Sequence, residues 1–193
     1  ARRAALRVVT VEPVADTRSL IMTFPLPPTY AYYGSKPLHL LSFVLGHEGP
    51  GSLLSLLKKE NLASSLAAGL GESTADYSSL ELRIGLTPEG LRRHEDVLER
   101  VFGAIRSFRE RGLPHYLFEE NQIMAALDFR YQPKQDSASR VTGMSALMQS
   151  MPMEALPEGA YLFSRFDPQL NQSFLDRLTP DNLLVTLVAK GVP

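Results

Sequence analysis

From Ser79 to Leu86 the side chains alternate without a break, with Leu80, Leu82, Ile84 and Leu86 set against Ser79, Glu81, Arg83 and Gly85. A period of two fits an extended strand with one dry face and one wet face. Thr87-Pro88-Glu89 then changes the period: threonine suits a helix N-cap, and the fixed φ of proline suits the first turn. Leu91, Leu98, Val101, Phe102, Ile105 and Phe108 follow at helical spacing, and Gly112 ends the run. A half-wet strand running into an amphipathic helix constrains the fold strongly. The dry face of the sheet needs a helical layer, and the wet face needs none.

The other elements fit that scheme. Arg7 to Val11 and Leu20 to Phe24 read as strands, the second closed by Pro25-Leu26-Pro27-Pro28. Lys36 to Leu45 reads as a buried helix with Pro37 in its first turn, and Ser52 to Lys59 as a short second helix. Leu66 to Gly71 reads as an extended segment whose small side chains leave the backbone edge accessible. Pro114 to Phe129 is expected to be a helix with Leu117, Ile123, Met124 and Leu127 inward, and Ala138 to Met151 another. Pro133 to Asp136 reads as a loop and Pro152 to Gly159 as irregular. Gln169 to Leu178 is expected as a short helix and Leu183 to Ala189 as a closing strand. The strands cluster rather than alternate with helices. The expected class is therefore α+β, a mostly antiparallel sheet with helices packed on one face.

The chain has 193 residues and suits one domain over 1–193, large enough to need no covalent staple. The absence of cysteine excludes disulfides, thiolate catalysis and cysteine zinc sites, and is compatible with either cytosol or periplasm. A net charge of −1 gives no electrostatic reason to expect nucleic acid or an anionic membrane as partner. No apolar run approaches the roughly 20 residues that cross a bilayer. A start at Ala1 and an end at Gly191-Val192-Pro193 read as a piece of a longer, multi-domain chain.

Gly46-His47-Glu48-Gly49-Pro50-Gly51-Ser52 carries three glycines in six residues, just ahead of the apolar run Leu53-Leu54. Such a segment must turn sharply or be approached closely by another backbone. Ser52 is placed to cap the following helix. The segment reads as a shaped backbone surface, or more simply as a corner between two helices with Glu48 solvated. It lacks the lysine and preceding strand of a phosphate-binding loop, and Ser52 lacks the strand-to-helix elbow of a hydrolase nucleophile. Glu119 and Glu120 are adjacent on a helix, point in different directions and read as a solvated face. Arg106, Arg109 and Arg111 suit the wet C-terminal end of the long helix, while Met144, Met148, Met151 and Met153 read as core filler or an interdomain seam.

Several of these phrases together resemble one family. Asp16 to Leu20, Phe24-Pro25-Leu26-Pro27, Tyr32-Tyr33, Lys36-Pro37 and Gly46 to Leu54 are similar to the second domain of the M16 (insulinase) zinc metallopeptidases. Leu86 to Leu91, Phe118-Glu119-Glu120, Phe129-Arg130 and Leu178-Thr179-Pro180-Asp181-Asn182 continue the likeness through nearly the whole chain. The resemblance implies a non-catalytic domain, partnered by other M16 domains of the same polypeptide, with zinc held in a catalytic domain elsewhere. Analogy with bacterial members points to a periplasmic parent and leaves a cytoplasmic one open. The family's inverted motif His-x-x-Glu-His would fall on His39-Leu40-Leu41-Ser42-Phe43, where Ser42 replaces the base and Phe43 the second ligand. No catalytic residue and no metal ligand is therefore expected here.

The resemblance also implies that the domain anchors the N-terminal end of a peptide substrate by adding it as a strand. The matching positions are Gly46 and Glu48, with Leu66 and Ala68 on the extended segment, and Glu48 would meet the peptide's α-amine. Phe43 and Leu70 stand where family members carry polar residues, and Ala68 replaces a glycine, so the site is expected to be more apolar. The alternative is a scaffolding domain that only holds the catalytic domain in place.

Overall fold

The computed structural model describes residues 7–191. Its sheet comprises β1 (Arg7–Val11), β2 (Ser19–Leu26), β3 (Ala63–Ser73), β4 (Ser78–Leu86) and β5 (Leu184–Val188), in the order β1-β5-β2-β4-β3. Every neighbouring pair is antiparallel except β1 with β5. The α-helices of the described residues are α1 (Pro37–Leu45), α2 (Leu53–Lys59), α3 (Pro88–Arg92), α4 (His94–Arg111), α5 (His115–Arg130), α6 (Ser137–Leu147), α7 (Glu158–Tyr161) and α8 (Pro168–Leu175). The α+β class with a mostly antiparallel sheet is the one expected from the strand clustering.

Register explains why one face is dry. Leu20 pairs with Ile84, Met22 with Leu82 and Phe24 with Leu80, while on the other side Leu20 meets Leu187 and Met22 meets Val185. All of these side chains are buried, and they pack with Leu38, Leu41 and Leu45 of α1, Val97, Val101 and Ile105 of α4, and Phe174 and Leu175 of α8. Between them on β4, Glu81 and Arg83 lie on the opposite face and pair with each other at 2.7 Å. A second, smaller core joins Leu40 and Val44 of α1 to Leu117, Phe118 and Phe163.

Three expectations need correction. The helix after Thr87 is not continuous, because it breaks at Arg93 (φ −113°, ψ 37°) into α3 and α4. The first turn is pinned elsewhere: the Thr87 amide donates to Leu62 O (3.2 Å), and Thr87 Oγ1 donates to Asn61 O (2.6 Å). Gly90 lies so close that an added Cβ would sit 1.7 Å from the Leu62 carbonyl oxygen. α4 then restarts along the axis that buries Val97, Val101 and Ile105. On α5, Leu117 is buried as expected, but Ile123, Met124 and Leu127 are 61%, 47% and 51% exposed. The first two turns of α5 reach α1 and Phe163, and further along Ala125 meets the second core and Phe129 the Tyr161 ring of α7, while Ile123, Met124 and Leu127 face outward. α6 stops at Leu147 and buries no residue, and Met148 and Met153 are exposed, so neither fills the core.

Candidate functional site

β3 ends the sheet: one side pairs with β4, and the other has no strand partner among the described residues. It runs 11 residues as Ala-Ser-Ser-Leu-Ala-Ala-Gly-Leu-Gly-Glu-Ser, with no proline and no charge before Glu72. Proline, lysine and short length are the usual means of blunting an edge against another chain, and β3 uses none of them. A register shift between Leu70 and Ser73 is its only irregularity beyond the one at its start. Leu66 pairs with Ile84, Ala68 with Leu82 and Leu70 with Leu80, so these three side chains belong to the face that carries the helices.

α1 spends two of its faces on the two cores. The residues that keep some exposure, His39, Phe43 and Gly46, recur at helical spacing and form one stripe. A Cβ added to Gly46 would lie 3.4 Å from both the amide nitrogen and the Cβ of Ala68. At the other end of the stripe, His39 and Leu70 line the same cavity. The stripe therefore runs alongside the open edge of β3 and makes a groove, closed at Gly46–Ala68 and deep at His39–Leu70.

Gly46 terminates α1 and its N–H donates to Ser42 O (2.8 Å). The chain then turns through Gly51 at φ +80°, a left-handed conformation that favours glycine, and Ser52 Oγ accepts from the Ser55 amide (3.1 Å) as the cap of α2. Glu48 is exposed on this turn and enters none of the ion pairs among the described residues. Of the four positions carried by the resemblance, Gly46 lies close enough to Ala68 that an added Cβ would reach it, while Glu48 flanks them on the turn. Leu66 is 4% exposed, so its side chain belongs to the core and only its backbone reaches the edge.

The same helix shows how a metal would fare. Ser42 Oγ donates to Leu38 O at 2.7 Å and is buried, and Phe43 stacks at a tilt with His47, ring centroids 6.2 Å apart. His39 packs edge-on to Phe163. These residues do not fit a zinc ion, and no group of three or more His, Asp or Glu side chains suited to a metal occurs among the described residues. Glu119 and Glu120 are both exposed, with Glu119 facing His115 at 3.3 Å.

Lys36 is the feature that the sequence reading missed. It precedes α1 in a left-handed conformation (φ 42°) and is 8% exposed. Its Nζ donates to the carbonyls of Tyr33, Gly159 and Leu162, the last at 2.9 Å, and sits 5.7 Å from the Phe163 ring centroid. Burial pushes the Lys36 ammonium down to about 8; hydrogen bonds from the charged form act in the opposite direction. His39 is also held below the ordinary imidazole range, first by desolvation and then by the Lys36 charge. Pro37 gave no signal of it, since a proline favours extended backbone at the preceding residue, not the left-handed turn found at Lys36. Nothing local pointed to Gly159 or Leu162 as partners.

Comparison with known proteins adds to this geometry. The family model described as the Peptidase M16 inactive domain matches residues 3–124, and that of the middle or third domain of peptidase M16 matches residues 129–193. Insulin-degrading enzyme of Homo sapiens is 34% identical over 181 residues, which cover 94% of this chain and 18% of that protein. A nardilysin-like protein of Arabidopsis thaliana is 32% identical over 190 residues, covering 96% and 19%. The crystal structure of pitrilysin superposes with a TM-score of 0.89 at 22% identity, over 96% of this chain and 20% of that one. The inactive peptidase domain of a putative zinc protease from Bordetella parapertussis superposes at 0.67 with 14% identity, over 91% of each chain. The chain spans about a fifth of the length of these curated relatives.

Proposed function

Because this chain belongs to the M16 peptidase family, with most of its length matching that family's inactive domain, we propose that it binds extended peptides by strand addition to β3. In this reading it walls part of a substrate chamber, and a zinc ion held by another domain of the same polypeptide performs the hydrolysis. The observation that carries the reading is the open edge of β3 beside the α1 stripe, with Gly46 leaving no more than a Cβ's space before Ala68. An edge strand offers its outward N–H and C=O groups at every second residue, which recognises backbone and tolerates many sequences. Gly46 lets the end of α1 lie against the strand, where a larger side chain would intrude on the peptide's path. The exposed Glu48 carboxylate is available to a peptide α-amine at that end of the groove.

Binding of a labelled extended peptide to the full-length protein tests this, with EDTA present to stop hydrolysis. Ala68→Pro removes a backbone donor and should abolish binding, and N-methylation of alternate peptide amides should do the same in one phase only. Binding that survives both changes would sink strand addition.

A second reading, a scaffold for the catalytic domain, is favoured by the exposed Ile123, Met124 and Leu127 of α5 with Val141 and Met148 beyond them. Such apolar exposure suits a neighbouring domain of the same polypeptide. Ile123→Asp with Leu127→Asp should then lower hydrolysis by the whole enzyme while peptide binding is retained.

A further inference from the structure

We propose that the cavity at the His39 end of the groove is a side-chain pocket that takes one bulky apolar residue of the peptide added to β3. The inference rests on the strand-addition reading and goes further by assigning a residue preference. The cavity measures about 200 Å³ and lies between Leu70 and Ser73 of β3, Lys36 and His39 at the start of α1, and Tyr30 and Met151. It exceeds the roughly 150 Å³ of an apolar cavity that admits a benzene ring, so it has room for a leucine or phenylalanine side chain.

Position makes it part of the edge. Side chains of an added strand alternate, and those on the helical side follow the line of Ala68 and Leu70. Next to Ala68 there is little depth, because α1 ends there at Gly46, where the space would admit no more than an added Cβ, at 3.4 Å from Ala68. Two residues along, beside Leu70, the cavity opens. The site should therefore accept a small residue at the first position and a large one at the second.

Chemistry selects an apolar occupant. The three carbonyls of Tyr33, Gly159 and Leu162 occupy the Lys36 ammonium, so it is not free to meet a carboxylate. The Tyr30 hydroxyl donates to Ser73 O at 3.4 Å. Desolvation and the Lys36 charge both hold His39 toward its neutral form. The Thr29 hydroxyl is engaged with Ser78 and the Ser150 hydroxyl donates to Leu147 O, which leaves leucine and Met151 side chains and the tyrosine rings as the main lining. A methionine wall adapts to more than one apolar shape.

The test uses the full-length protein with EDTA and a set of labelled peptides of one length, differing only at the second position: Ala, Leu, Phe or Asp. Fluorescence anisotropy should show Leu and Phe binding about tenfold more tightly than Ala, and Asp more weakly than Ala. Met151→Trp, which fills the cavity, should bring the Leu and Ala peptides to within about twofold of each other. Equal affinity across the wild-type series, or tightest binding by Asp, overturns the pocket while leaving strand addition intact. Failure of every peptide to bind overturns both.

Discussion

Replacing Lys36 by methionine removes a titrating group while keeping most of its length, and the resulting change in pH dependence can be worked from the structure. In the unfolded chain the ammonium has its ordinary value of 10.5, and in the native protein burial lowers it to about 8. Below about pH 8 both states hold the proton and the contribution is constant. Between about 8 and 10.5 the unfolded chain still holds a proton that the native protein has released, so stability rises with pH. The gap of about 2.5 pH units at about 1.36 kcal/mol each gives roughly 3 kcal/mol. Urea unfolding at intervals from pH 7 to 10.5 measures it, and Lys36→Met should lack that rise while keeping the contributions of every other lysine and tyrosine. Subtracting the two curves isolates the residue. Parallel curves would refute the argument, and would mean that the carbonyls of Tyr33, Gly159 and Leu162 compensate fully for burial.

Other substitutions probe the scaffold and the groove. Gly90→Ala should destabilise by about 3 kcal/mol, because the obstruction is the Leu62 backbone rather than a side chain that can swing away; thermal unfolding reads it. Phe174→Ala empties a fully buried site beside the edge-on Tyr32 ring and should cost about 3–5 kcal/mol by denaturant unfolding. Thr87→Ala loses the acceptor for the Gly90 amide (2.9 Å) and should cost about 1 kcal/mol in the same assay. Glu48→Gln should weaken a peptide with a free α-amine by up to about fivefold, the range of an exposed ion pair, and leave the acetylated peptide unaffected in a competition titration.

Much of the fold was legible because local and tertiary demands agree. The alternation on β4 and the cap at Thr87 each have a single structural solution, and both appear where the pattern puts them. The break at Arg93 was hidden because Gly90 is held by Leu62, 28 positions earlier, and no periodicity reports such a contact. The outward face of α5 was misread for a related reason: an apolar stripe states that something covers it, without saying whether the cover lies in the same fold. At the site, glycine at 46 and a run of small residues on β3 pointed to close approach, and a Cβ on Gly46 would lie 3.4 Å from Ala68. Lys36 and the cavity depend on the segment 151–162 folding back across the start of α1, which side-chain spacing cannot encode.

The place of β5 bears on how the chain acquires its structure. β1 and β2 are near in sequence yet do not pair; the slot between them is filled only by Leu184–Val188. While the polypeptide emerges from the ribosome, that slot must stay vacant until residues 184–188 are made, leaving the edge of β2 available to a stray partner. Contacts closing over so long an interval are slow to form. Nascent chains should depend on holdase chaperones from the emergence of β2 until that of β5, and this sheet should become protease-resistant only once β5 is in place.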